Sequence, residues 1–276
     1  MYQVKKHIIG TKDKEDIILT QEDDSTLDLY LYESRSKDFI FVMASRTDAS
    51  YVAYTSCANP AKFILIEPLT TDHLYAADHV RGDEFMIHTN YEAKNYRLCA
   101  AKIANPTKEN WKDIIPNRKD VFLEDVEYFS TFYVAQESKN GLTSLRIVAP
   151  NGDEDDIQFD EPAYYSTLAY NPEFNTTSIR FLYSSLITPF TTYEYDTKTL
   201  SKTILKQDVI PSGYDKSQYV TERIMVPARD GKMVPMTIAY RKDKYKKDGT
   251  APGFIYGYGS YGYSNEDYFE IGRAHV

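Results

Sequence analysis

The sequence predicts a mainly β protein: a partial β-propeller, then the first strands of an α/β domain. Three observations predict it. A β-type segment recurs every 45 to 48 residues or so, about the length of one propeller blade. The chain holds 25 Tyr and 13 Phe against 1 Trp, and aromatic residues favour strands. No amphipathic helical run of about 12 residues or more interrupts residues 1–207, which argues against strand–helix–strand units there.

The repeat runs as follows. Strand-like segments occupy 38–45, 83–89, 130–136 and 178–184. A second β-type segment follows each about 12 residues later, at 50–54, 95–99, 142–146 and 191–195. A polar turn and a third segment come next, as at 63–66, 111–115 and 203–206. Candidate preceding strands recur at 27–32, 74–78 and 166–170. One such sheet cannot bury both faces alone, so blades stack and each covers its neighbour. A β-sandwich is the competing architecture, but it does not require a fixed period. About four blades are visible, and a ring typically needs more. The propeller is therefore expected to be incomplete, with Met1 an internal position.

Composition changes after Lys206. Residues 207–217 read as a linker around Pro211 and Gly213. Two runs, 219–226 and 232–240, then alternate apolar and polar residues around Arg229-Asp230-Gly231. An Asp-Gly turn between such runs predicts a hairpin. Pro235 inside the second run predicts an edge position. Residues 241–249 read as a solvated basic loop. Pro252 leads into an expected strand, 253–258, and then a Gly/Tyr-rich loop.

Two chemical motifs overlap that loop and neither holds. Ser260 lacks the glycine two positions before it that a Gly-x-Ser-x-Gly nucleophile elbow needs, because Tyr258 stands there. Gly257, Gly259 and Gly262 fit Gly-x-Gly-x-x-Gly, but no helical pattern follows, as a dinucleotide site requires.

The run from Pro227-Ala-Arg-Asp-Gly-Lys-Met-Val-Pro235 through Tyr240-Arg-Lys-Asp243 to Tyr256-Gly-Tyr-Gly-Ser-Tyr-Gly262 resembles the entry to the catalytic domain of the prolyl oligopeptidase family. The Tyr-Gly-Ser-Tyr-Gly form is closer to the oligopeptidase B (protease II) branch than to the proline-specific one. Upstream segments at 2–11, 141–146, 159–164 and 205–207 resemble oligopeptidase B in the expected order. The resemblance covers residues 1 to 270. It implies a seven-bladed propeller capping an α/β-hydrolase domain. The implied division is 1–207 propeller, 208–270 linker and start of the peptidase domain, and 271–276 a non-native tail. Ile271–Val276 departs from the family pattern and reads like a library adapter translated in frame, so His275 is no candidate base.

The resemblance also implies roles. The second Tyr of Tyr-Gly-Tyr-Gly is Tyr258 here, and its phenol would donate to the oxyanion of a tetrahedral intermediate. Tyr261 falls where the family lines its substrate pocket. Oligopeptidase B cleaves after Arg or Lys, and carboxylates hold such side chains through charge-assisted bonds. Of the family's two loop acids, one corresponds to Glu266; the second position is Tyr268, with Asp267 between them. Glu266 and Asp267 are therefore the candidate substrate acids. The Ser–Asp–His triad would lie beyond residue 270, so this chain is expected to be an inactive fragment of a serine peptidase. Alternatives are a proline-specific peptidase and a non-catalytic propeller scaffold.

The remaining features exclude more than they assign. A net charge of −9 argues against a nucleic-acid groove or an anionic membrane surface, and suits a basic peptide. No run approaches the roughly 18 apolar residues of a membrane helix. Cys57 and Cys99 suggest neither a disulfide framework nor a metal pair, and read as thiols of the reducing cytoplasm. His7, His73, His79 and His88 are scattered without metal spacing. No metal or cofactor is expected. Asn175-Thr-Thr177 fits a glycan acceptor, which a cytoplasmic protein would not use.

Overall fold

The computed structural model describes residues 1–260 and 263–270. Its twenty strands are β1 (Tyr2–Lys6), β2 (Ile17–Glu22), β3 (Asp28–Glu33), β4 (Phe39–Arg46), β5 (Ala49–Ser56), β6 (Ile64–Glu67), β7 (Tyr75–His79), β8 (Glu84–Thr89), β9 (Arg97–Lys102), β10 (Lys112–Ile115), β11 (Phe122–Tyr128), β12 (Tyr133–Lys139), β13 (Leu142–Val148), β14 (Glu154–Asp156), β15 (Tyr165–Leu168), β16 (Ser178–Ser185), β17 (Thr188–Asp196), β18 (Ser201–Gln207), β19 (Tyr219–Pro227) and β20 (Met233–Arg241). The helical segments among the described residues are three single 3₁₀ turns.

Strands β3–β6, β7–β10, β11–β14 and β15–β18 form four successive four-stranded sheets, each in chain order. The recurring 38, 83, 130 and 178 segments are the second strands, β4, β8, β12 and β16. Each follows the preceding strand and pairs antiparallel with the next. The sequence pattern did not single out β1, β2, β11 or β14. Glu154–Asp156 is three acids, carrying no apolar alternation to mark a strand. It pairs with β13 because Arg146 answers two acids, Glu154 at 2.7 Å and, through a short contact, Glu137.

The chain divides into two compact units, Met1–Leu123 and the chain from Glu124 onward. In the first, aromatic faces of β4–β6 meet those of β7–β9: Phe41, Tyr54, Tyr75 and Phe85 form the core, with Trp111 closing it. Hairpin β1–β2 covers the other face of its neighbour, Val4 and Leu19 lying against Val42, Ala53 and Phe63. Polar groups that enter this unit are paired. His79 is buried between the Ser36 hydroxyl at 2.7 Å and the Gly82 carbonyl at 3.1 Å. The buried Cys99 thiol donates to Asp113.

In the second unit Phe129, Phe132, Val134, Leu145 and Ile147 of the third sheet pack on Ile179, Phe181 and Tyr195 of the fourth. Rings stack here, Phe181 on Tyr193 at 5.2 Å and Phe159 on Tyr183 at 5.0 Å, geometries that add to area burial. The β12–β13 connection is the two residues Asn140-Gly141, both at positive φ (52° and 70°). That is the primed turn whose twist matches the flanking strands, and Asn-Gly is its favoured pair.

The hairpin expected around Asp230-Gly231 is present as β19–β20, and Pro235 sits on its open edge. The strand expected at 253–258 is not formed. Residues 253–259 carry no ladder, and Phe254 and Ile255 are 73% and 90% exposed. A lone extended segment has nowhere to place its backbone N–H and C=O groups except water, so apolar composition alone does not make it a strand.

Candidate functional site

The linker after β18 is tied to the fourth sheet before the hairpin begins. Tyr214 donates to the Ile187 carbonyl at 2.8 Å. Lys216 donates to Glu161 at 2.8 Å. Glu161 also accepts from Ser185 at 2.5 Å, Tyr183 at 3.1 Å and, through a short contact, Thr188. Burial alone would raise its pKa, but Lys216 and the hydroxyls outweigh that and hold the carboxyl below its usual value. A cavity of about 500 Å³ opens beside it, lined by Phe159, Glu161, Tyr183, Tyr193, Lys202 and Lys216 among others.

Residues 263–270 return to the same unit. They form no strand, but side chains hold them at three points. The Phe269 amide donates to the buried Ser184 hydroxyl at 2.9 Å, and its ring meets Tyr214 edge-on at 5.1 Å. Tyr268 lies against Phe190 at 5.8 Å and Tyr165 at 6.3 Å. Asp267 accepts from Thr237 at 2.8 Å and from Arg223 at 3.2 Å. Arg223 also donates to Thr237 and, through a short contact, to the Asn140 carbonyl.

The candidate residues are thus placed as follows. Tyr258 is half exposed in the loop, and its ring contacts Tyr263 at 5.7 Å. Tyr261, like His275, lies outside the described residues. Glu266 and Asp267 are both partly buried but differ in company. Asp267 has Arg223 and Thr237; burial raises its pKa and those partners oppose the rise. Glu266 has acids for neighbours. Burial, then repulsion from Glu124 and Asp267, raises its pKa from 4.5 to about 7. Near neutral pH it is therefore poised between carboxylic acid and carboxylate, and an arriving cation would favour the ionised form. Among the described residues no group of three or more His, Cys, Asp or Glu could hold a metal ion.

Sequence reasoning missed Arg223, Thr237 and Asn140. A signal existed. Aligning the two runs about Asp230-Gly231 puts Arg223 directly opposite Thr237, the register that forms. It missed Glu124 too, because that acid lies on β11, which no periodic segment announced.

Four-stranded antiparallel meanders in series along the chain, with apolar faces packed on a neighbour within each unit, are the build of a β-propeller protein. The family description "Prolyl oligopeptidase, N-terminal beta-propeller domain" matches residues 1–208. The chain belongs to the prolyl oligopeptidase family. Dipeptidyl aminopeptidase BI of Pseudoxanthomonas mexicana is 41% identical over 98% of this chain and 37% of its own length. Protease 2 of Moraxella lacunata is 28% identical over 97% of this chain and 38% of its own. The chain therefore spans less than two-fifths of these curated relatives. Oligopeptidase B from Leishmania major superposes with a TM-score of 0.88 at 23% identity, covering 99% of this chain and 40% of that one. No helix among the described residues is long and apolar enough to cross a membrane.

Proposed function

We propose that this chain is the front part of a serine-type oligopeptidase that hydrolyses short peptides after Arg or Lys. Residues 1–207 are the propeller portion, which admits only small or unfolded peptides. Residues 208–270 are the linker and the start of an α/β-hydrolase domain. Chemistry follows the acyl-enzyme route of a Ser–Asp–His triad carried beyond residue 270, so residues 1–276 alone have no peptidase activity. Tyr258 donates to the oxyanion, Tyr261 lines the pocket, and Glu266 receives the basic side chain with Asp267 behind it. The protein acts in the cytoplasm, in keeping with its unpaired Cys57 and Cys99.

The main support for the peptidase reading is the family match over residues 1–208. The half-buried Glu266, short of positive neighbours, supports a basic substrate. The test is turnover by the full-length gene product of fluorogenic peptides ending in Arg, Lys or Pro. Arg and Lys peptides should be cleaved, and Tyr258→Phe should lower kcat by about 100- to 1,000-fold. Cleavage of Pro peptides alone would refute the basic specificity. No cleavage at all would refute the enzyme.

A second reading has its own support. The 41% identity to a dipeptidyl aminopeptidase favours release of dipeptides from a free N-terminus. Acetylating the substrate's amino end separates the two: an endopeptidase still cleaves, whereas a dipeptide-releasing enzyme stops.

A further inference from the structure

The 263–270 segment has no ladder of its own, so something else must fix the position of its acids. Phe269 and Tyr268 anchor the C-terminal half by packing. Just before them, Asp267 is held by the Thr237 hydroxyl and by the Arg223 guanidinium. Arg223 reaches three separate elements: Asp267 in the segment, Thr237 on β20, and the Asn140 carbonyl in the β12–β13 turn. Its side chain and that of Asp267 are only 14% and 15% exposed, so this is not a solvated surface pair.

The turn is shaped for the contact. Asn140 and Gly141 take the positive φ values that bring the Asn140 carbonyl to the guanidinium. A Cβ on Gly141 would stand 3.2 Å from Arg223 Nη2 and 3.5 Å from Pro235. Only glycine leaves both the backbone conformation and the space free. A lysine could not serve this place, since one ammonium cannot span a carboxylate, a hydroxyl and a carbonyl as a planar fork does.

We propose that Arg223 is the positioning residue of the candidate substrate subsite: by tying Asp267 to the Asn140-Gly141 turn, it sets where Glu266 presents its carboxylate. The assignment deepens the reading of Glu266 as the substrate acid and rests on it. Arg223 does two things at once. It pins the backbone one residue from Glu266, and its charge offsets part of the repulsion that Asp267 exerts on Glu266. The groups that set the charge around Glu266 are Glu124 of β11 and Asp267, with Arg223 acting through Asp267; the Tyr165 phenol of β15 also feels Glu266.

The test uses the 276-residue chain and needs no activity. Amide exchange of Phe269 and the carboxyl titration of Glu266 are followed by NMR in Arg223→Gln, Arg223→Lys and Asp267→Asn. Arg223→Gln should speed Phe269 exchange about tenfold or more and move the Glu266 midpoint upward. Arg223→Lys should keep the midpoint near that of the parent chain but not the slow exchange. Asp267→Asn should also speed exchange, yet move the midpoint downward, because a repelling charge is gone. Amides of Val134 and Ala135 report whether the sheets stay folded. Should Arg223→Gln unfold them, Asp267→Asn decides. Unchanged exchange and an unchanged midpoint in the folded variants would overturn the proposal. Failure of the Glu266 reading shows elsewhere, as an unaltered KM for Arg peptides in full-length Glu266→Gln.

Discussion

Between the third and fourth sheets Phe129, Ile179 and Phe181 are closed off from solvent, whereas Phe254 and Ile255, equally apolar, stand in it. The difference lies in what surrounds each residue, not in its type. A sheet supplies ladder partners for its backbone and a facing sheet for its side chains, so apolar alternation becomes burial. Residues 253–259 have no partner strand, and the same chemistry stays wet. The chain after Gln207 has the β19–β20 ladder and the packed rings of Tyr214, Tyr268 and Phe269, and is further held by a few polar ties: Glu161 on Lys216, Arg223 on Asp267, and Ser184 on the Phe269 amide. Burial between two sheets dominates one region and directed bonds carry more of the other, so they should respond differently to substitution and to pH.

The largest effect is expected in the packed region. Phe181→Ala should cost about 3–5 kcal/mol, since the cavity cannot collapse between two sheets. Ile255→Ser should change stability by less than about 0.5 kcal/mol. Denaturant midpoints of the two variants measure the contrast directly, and similar costs would break it.

Next comes the linker tie. Glu161→Ala leaves the Tyr183, Ser185 and Thr188 hydroxyls without their acceptor and should cost about 1–3 kcal/mol. Tryptic cleavage after Lys216 should then become several times faster, while cleavage within the sheets stays slow. Equal protection of Lys216 in both proteins would mean that Tyr214 alone seats the linker.

The smallest effect is on pH dependence, and its sign separates the two acids. Glu161 has its pKa lowered in the folded chain. Its contribution is therefore present at neutral pH and lost as pH falls through the folded value. Glu266 is raised from 4.5 to about 7. Across that window the folded chain holds a proton that the unfolded chain has released, so stability falls as pH rises. Glu266→Gln should flatten the fall between those values by at most one proton's worth of slope. A parallel pH profile would show that Glu266 titrates normally.

Much of this was legible in the sequence. The repeat located the second and third strands of each four-stranded sheet because these have apolar alternation and fixed spacing. Strand β14 was hidden because Arg146 supplies its partner from another strand, and a run of three acids gives no pattern. The sequence singled out Glu266 through its likeness to the family loop, and its role is the reading proposed above. Its altered acidity was not legible there, because Glu124 lies 142 positions earlier and only folding brings it near. In sequence Glu266 stood at a family acid position and Asp267 beside it, and both were candidate substrate acids. The structure separates them, because a cation reaches one and acids surround the other.

By itself the sequence determined the second and third strands of the four-stranded sheets, the Asp230-Gly231 hairpin and membership of a peptidase family. These follow from local rules: alternation, turn residues and motif order act over a few neighbouring positions. Only the tertiary structure decided which apolar run is paired, which of two adjacent acids is neutralised, and which arginine holds the loop. Those outcomes depend on charges and ladder partners distant in the chain, and the strength of an interaction follows separation in space rather than in sequence.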